Sequence, residues 1–344
     1  MNKKVIIALF SALALVKGSY AGLTLDVNTG NTTIDAALRA EIDKQFQVPN
    51  MTDFLGRMSN AQSITNKGLG VSYATDHSLF VVGGGLGVGL SSPSLTNIET
   101  NGGLPPVGLG VQGSVMAGIS LAKFPLPELG PIDPKRITLF VNYFGYSNDS
   151  LVSSLAIKTN TFGLHAQYKI ISAKNIGGLG LLNWGGVAFT TGFDVSSNSL
   201  TYKVGQNITT TSGGQTYTWT PNSNSTLVLE ANSFTIPLEV STSIRLAYIL
   251  SFFGGAGVDL NFGKSTIASN LNGPVTGAGV SGTASAALTG GETQNPTFGH
   301  VRVFGGPQLN LVPLKNTNVL SLYAQGNYSF GGHYGVHAGI RAAW

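Results

Sequence analysis

The chain closes on HYGVHAGIRAAW, His333–Trp344, and the reading of this stretch decides the fold. Tyr334, Val336, Ala338, Ile340 and Ala342 are apolar, whereas His333, Gly335, His337, Gly339 and Arg341 are polar or small. Side chains along a strand point to opposite faces in turn, so a period of two describes a strand with one greasy face and one wet face. Which face forms the outside of the molecule is settled by the rest of the sequence.

The same stripe recurs upstream. In Phe162–Ile170 the apolar set Phe162, Leu164, Ala166, Tyr168 and Ile170 alternates with Gly163, His165, Gln167 and Lys169. Ile236–Leu250 sets Ile236, Leu238, Val240, Ile244, Leu246, Tyr248 and Leu250 against Glu239, Ser241, Ser243 and Arg245. Val301–Leu311 carries Arg302, Gln308 and Asn310 on its polar face, and Leu320–Phe330 carries Ser321, Gln325, Asn327 and Ser329. Glycine-richer strands run through 78–90, 107–122, 135–147, 180–196 and 252–263, the last two bearing Asp194, Asp259 and Asn261. Most of these runs exceed the roughly 9 to 11 residues that a tilted strand needs to cross a bilayer.

Composition points the same way. Only 10% of the 344 residues are charged, against roughly 25% in soluble domains. The 19 basic residues are scattered and the net charge is +4, which gives no clustered footprint for nucleic acid. Cysteine is absent, which removes disulfides, thiolate metal sites and a lipid-modified N-terminal cysteine. Residues 1–21 read as a signal peptide: Lys3 and Lys4, an apolar run from Val5 to Val16, and a small-residue cut site after Ala21. Beyond it no stretch approaches the roughly 18 apolar residues of a spanning helix. An exported, apolar, alternating chain without membrane helices is expected to close into a barrel, because hydrocarbon tolerates no unpaired sheet edge.

The expected fold is therefore all-β: a transmembrane antiparallel up-and-down barrel of ten to twelve strands over residues 67–344, preceded by a short N-terminal helical segment. Counting back from Trp344, inner turns fall near Pro313–Asn316, Leu250–Phe252, Ser172–Gly178 and Phe124–Pro134. The outer connections near Gly331–Gly332, Ser265–Pro296, Ser197–Asn232, Asn148–Ser153 and Ser91–Pro106 include the long Gly/Ser/Thr/Asn-rich ones, as such barrels require. LTYKVGQ and QTYTWT, within Ser197–Asn232, offer an extra hairpin that would raise the count to twelve. In residues 22–66, Ile34, Leu38, Ile42 and Phe46 recur at helical spacing after a cap at Asn31, Thr32 or Thr33, with a second piece over Thr52–Met58. This segment is expected either to plug the lumen or to cap the periplasmic mouth.

From Leu69 to Trp344 the chain resembles bacterial outer-membrane β-barrel proteins as a class. The resemblance is carried by the aromatic last residue Trp344 with apolar Tyr334, Val336, Ala338, Ile340 and Ala342 before it. It implies a porin-like protein in the outer membrane of a Gram-negative bacterium, surrounded by lipid and lipopolysaccharide. It further implies that this segment is the signal read by the barrel-assembly machinery. Phenylalanine is the usual last residue of the class, so tryptophan is a departure. The N-terminal helical segment is similar to the hatch of long-chain fatty-acid transporters and to the helix that threads autotransporter barrels, although no substantial passenger precedes it here.

GGGLGVGLSS, Gly83–Ser92, lacks the lysine and following helix of a phosphate-binding loop and reads as a barrel strand allowing tight curvature or close packing of a plug. His333 and His337 lie about 13 Å apart on a strand at ~3.3 Å per residue, too far for one ion. No GxSxG elbow occurs, so no enzyme, metal or cofactor is expected. The polar lining is expected to comprise His165, Gln167, Lys169, Asp194, Glu239, Arg245, Asp259, Asn261, Arg302, Gln308, Gln325, Asn327, His333, His337 and Arg341. Such a lining suits passive passage of small solutes with weak anion preference, with the N-terminal segment as a gate. The alternatives are a non-conducting surface-interaction barrel working through its outer loops, or a transporter of hydrophobic substrates.

Overall fold

The computed structural model of the protein describes residues 22–46, 51–74, 79–92, 107–127, 130, 132–152, 154–176, 181–314 and 317–344. The expected signal peptide and most of the 91–106 connection lie outside the described residues. In chain order come β1 (Thr24–Asn28), α1 (Thr32–Phe46), α2 (Met51–Thr65), β2 (Phe80–Ser91), β3 (Gly108–Ser120), β4 (Ile137–Val152), β5 (Leu155–Ile171) and β6 (Lys174–Ile176). They are followed by β7 (Leu182–Lys203), β8 (Ile208–Ser212), β9 (Gln215–Trp219), β10 (Thr226–Leu246), β11 (Leu250–Gly277), β12 (Ser285–Gln294), β13 (Gly299–Leu314), β14 (Thr317–Ser329) and β15 (His333–Ala343).

Ten strands close a ring. The antiparallel path runs β2, β3, β4, β5, β7, β10, β11, β13, β14, β15 and returns to β2. Closure is made by the C-terminal segment His333–Ala343: Tyr334 faces Leu90, His337 faces Gly87 and Ala343 faces Val81. The Trp344 carbonyl accepts the amides of Leu79 and Phe80, and its own amide donates to Phe80. Period-two alternation then sorts the wall. Val336 (64% exposed), Ile340, Val115 and Leu164 point out, while His337, Arg341, Ser114 and His165 are buried inside.

The hairpin QTYTWT does not enter the ring. β8 and β9 pair with each other, and β9 adds to the far end of β11; LTYKVGQ begins as the end of β7. The count of twelve is thus corrected to ten. The turn expected at Leu250–Phe252 lies earlier, at Ala247 and Tyr248, both with positive φ (48° and 65°). These two left-handed residues turn the chain within a three-residue connection, 247–249, at positions usually taken by Asn or Gly. Ala-Tyr gives no such mark, so the alternation reads straight through it.

The 92–107 connection and the extensions of β7, β10 and β11 lie at one end, and of the links at the Trp344 end only 121–136 is long, which assigns the Trp344 end to the periplasm. An outward row of rings, Phe162, Phe193, Phe234, Phe262 and Phe298, runs across neighbouring strands with centroids 5.3 to 6.0 Å apart. Trp344 and Phe80 meet at 6.0 Å at the other end. Aromatic girdles of this kind mark the two membrane interfaces.

Beyond the Phe row, β7, β10 and β11 continue outward and β12 and β1 extend the sheet. The connections 197–232 and 265–296 are therefore largely strand. Together with the β8–β9 hairpin they enclose α1. Its Leu38 and Ile42 are fully buried with Ile208, Trp219, Leu271 and Leu288, each such side chain contributing about 1.5–3 kcal/mol. The Asn31 Oδ1 caps α1 by accepting the Thr33 amide at 3.0 Å. A cap under the periplasmic mouth is thereby corrected, because α1 sits on the extracellular extension of the sheet.

Trp344→Asp is expected to remove the ring contact with Phe80 at the closing seam and cost about 1 kcal/mol or more. The heat-modifiable folded fraction in isolated membranes should fall. A fraction equal to that of the unaltered chain contradicts this reading of the seam.

Candidate functional site

The interior of the ring is occupied by the chain's own residues 60–74, while the start of α2 packs on Ile267 and bonds Glu292 of the extension above it. α2 enters at the extracellular mouth, where the Ser59 hydroxyl donates to the Gln294 carbonyl at 3.0 Å and, its one proton used, accepts from the Ser265 hydroxyl 3.0 Å away. Thr52 bonds Glu292, and the Asn60 Oδ1 accepts the Thr297 amide at 2.8 Å. Deeper in, the Gln62 amide donates to Ser196 at 2.8 Å and to Gln112 at 3.3 Å. The helix stops at Thr65, whose carbonyl is 2.7 Å from His337 Nε2.

The glycine run 83–92 explains how a helix fits so near the wall. Gly87 and Gly89 on β2 and Gly110 on β3 face α2, and a Cβ at Gly89 would meet the Ala61 carbonyl, the Thr65 hydroxyl and Ile64. At Gly108 it would meet the Arg57 backbone. Side-chain-free positions let backbone approach backbone.

Below Thr65 the chain descends without regular structure, since Gly68 (φ +88°) leaves the helical region. Its carbonyls are taken by the wall. Lys67 O accepts from Gln325 and Asn327 at 3.4 Å, Val71 O from Arg341 at 2.6 Å, and Ser72 O from Gln167 at 3.4 Å. The Tyr73 hydroxyl donates to Glu239 at 2.6 Å, and its ring packs between Phe253 and Phe304. Val71, Tyr73 and Ala74 join Val81, Met116, Phe140 and Ala343 in an apolar cluster at the periplasmic end.

Mid-barrel charges form one buried cluster. Arg302 donates to Asp259 at 2.8 Å, to Asn327 at 2.6 Å, and to Glu239. His165 lies 3.0 Å from Asp194. The Lys67 ammonium, with its side chain 1% exposed, lies 4.0 Å from Asp194 and 3.8 Å from Asp259. Those separations exceed hydrogen-bond length, so Lys67 acts through its charge. A buried carboxylate without a counter-charge is expensive, and the descending segment supplies the cation that the wall lacks.

Of the lining expected from alternation, His165, Asp194, Glu239, Asp259, Asn261, Arg302, Gln308, Gln325, Asn327, His333, His337 and Arg341 are buried inside the ring. Gln167 is half-buried and reaches Thr190 and Ser72. Arg245 sits at the periplasmic end with its guanidinium 5.4 Å from the Tyr248 ring, and Lys169 is half-buried near that end. The central groups meet one another, and Arg245, itself buried, and Lys169 lie toward the periplasmic end. The expected weak anion preference therefore does not describe the centre, where fixed pairs consume the charge. Alternation missed Lys67 and Tyr73, which lie on no strand; the clue was a lysine and a tyrosine in NKGLGVSY between helix and barrel. It also left out Gln112 and Asn142, both buried.

Tight strand closure, an outward apolar wall between two aromatic rows and a polar interior define an outer-membrane β-barrel protein, located in the cell outer membrane. Within that class the chain belongs to the Lsa36-like family, whose model matches residues 19–344. Comparison with curated proteins finds no match. Among solved structures, the translocator domain of the autotransporter NalP from Neisseria meningitidis is 12% identical, covering 91% of this chain and 98% of that one at a TM-score of 0.32. The outer membrane protease OmpT from Escherichia coli is 9% identical, covering 79% and 99% at 0.37. The attachment invasion locus protein Ail of Yersinia pestis is 9% identical, covering 79% and 97% at 0.22. The assignment rests on this chain's own ring and family, not on those likenesses.

Two substitutions test the packed interior. Gly89→Val pushes side-chain atoms into α2 and is expected to cost about 1–3 kcal/mol. Lys67→Met strips the shared cation from Asp194 and Asp259 and should cost about 3–5 kcal/mol. Urea unfolding of the refolded barrel measures both; midpoints unchanged from the unaltered chain contradict the packing described.

Proposed function

We propose that this protein is a closed barrel that anchors a folded module at the cell surface and acts through that module, rather than an open pore. The observation that carries the reading is Lys67, buried mid-lumen between Asp194 and Asp259. A chain pinned there by charge, with its carbonyls bonded to the wall above and below, leaves no continuous aqueous path for a small solute. The helix and strand that precede it are consequently held outside, on the core of Trp219 and Leu288. A rigid, slightly charged surface rich in Ser, Thr, Asn and Gly is what this arrangement offers to a partner.

Planar-bilayer recording tests it. The full chain should show no steady conductance, and deletion of residues 22–74 should produce one, because the lumen then loses both α2 and the segment pinned by Lys67. Steady conductance of the full chain overturns the closed barrel and favours the gated pore.

A further inference from the structure

The link between β3 and β4, residues 121–136, is the long connection at the Trp344 end, and neither the lumen filling nor the surface module accounts for it. We propose that this link, with the neighbouring ends of β5 and β6, is a docking surface for anionic phospholipid. Its lysines meet the headgroup and its apolar side chains meet the acyl region.

The apolar half comes from the link itself. Phe124, Leu126 and Ile132 are 38%, 41% and 47% exposed. The link hangs from the lower ends of β3 and β4, and on β4 the outward Leu139 and Val141 face lipid. Its side chains therefore continue the lipid-facing wall into the interface. The backbone suits that layer as well. Pro125 and Pro127 carry no amide proton, and the Leu126 amide donates to the Phe124 carbonyl at 2.8 Å. Few donors are left to pair where water is scarce. Short turns at Leu121–Lys123 and Pro134–Arg136 hold the two ends. Ser120 Oγ accepts the Ala122 amide at 3.4 Å, Asp133 Oδ1 accepts the Lys135 amide at 3.0 Å, and the turns pack on one another.

The charged half lies on the same elements. Lys123 and Lys135 sit on the two turns and Lys174 on β6, all three exposed and without an ion pair among the described residues. Asp133 is the one carboxylate described at this rim, and Arg136 takes it at 3.7 Å. Arg136 also donates to the Ile170 carbonyl at 3.3 Å, which ties the link to the end of β5 beside β6. The other described carboxylates outside the lumen lie toward the extracellular end, among them Asp26, Asp43, Asp53 and Glu230. Uncompensated positive charge is thus gathered at the periplasmic rim. Basic side chains beside exposed apolar ones mark a segment that lies in the interface, where lysines are attracted to anionic headgroups. A free anion would match the lysines alone, whereas a phospholipid matches both halves.

The experiment inserts the full mature chain into nanodiscs holding equal parts of a zwitterionic and an anionic phospholipid with the same acyl chains. Native mass spectrometry then counts the lipids that stay with the barrel. Anionic lipid should be retained over zwitterionic by at least about fivefold, roughly what one lysine near an anionic surface is worth. High salt should reduce that ratio by screening. The variant Lys123→Glu, Lys135→Glu, Lys174→Glu should retain the two lipids equally. The matching variant at the other end, Lys158→Glu, Lys203→Glu, Lys264→Glu, should keep the preference. Equal retention by the unaltered chain, or a preference that survives in the folded periplasmic variant, overturns the proposal. If that variant fails to insert, Lys→Gln at the same three positions is judged by the same criterion. The readout is lipid composition, so its failure is distinct from failure of the closed barrel, which conductance reports.

Discussion

A wall that faces hydrocarbon has to pair every backbone amide within itself, and the rest of this structure follows from that requirement. Strands that each present an apolar face to lipid must put their polar face somewhere, and closure leaves only the inside. The final strand makes this concrete: Val336 and Ile340 are exposed outward, His337 and Arg341 are buried inward, and the Trp344 backbone bonds the first strand to complete the ring. An interior collected in this way contains Asp194, Glu239 and Asp259 at close quarters. Two of these meet Arg302, yet the set remains short of positive charge until Lys67 descends among them.

Lys67 thereby connects the membrane barrel to what lies above it. For the ammonium to reach mid-lumen, α2 must enter from the extracellular mouth and run close along β2 and β3, and the glycines of those strands give it room. The chain before α2 is then outside, where β1 pairs with β12 and α1 is covered by the β8–β9 hairpin. Filling the barrel and displaying a surface module are two consequences of one threading.

Much of this was legible in the sequence because a period of two is a strong signal when both phases are under chemical constraint. Strand positions, the segregation of short and long connections and most of the inner face followed from it. GGGLGVGLSS was readable as a strand permitting close packing, though not the identity of the helix it accommodates. Three things escaped for physical reasons. The Ala247–Tyr248 turn carries no Gly or Asn and sits inside unbroken alternation. Lys67 and Tyr73 lie in an irregular segment, where no periodicity assigns a face. The outer connections looked like loops because their strands are rich in Ser, Thr and Asn, and their packing depends on α1, which comes from the other end of the chain.

The central claim, that residues 60–74 run down through the barrel, can be read from one engineered crosslink, since the chain has no cysteine of its own. Ser59 on α2 and Ser265 on β11 have hydroxyls 3.0 Å apart, so Ser59→Cys combined with Ser265→Cys should join under mild oxidation in intact outer membranes. The account predicts a faster-migrating, reducible species comprising most of the folded protein. Two free thiols that never join, in a barrel that is otherwise folded, would contradict it.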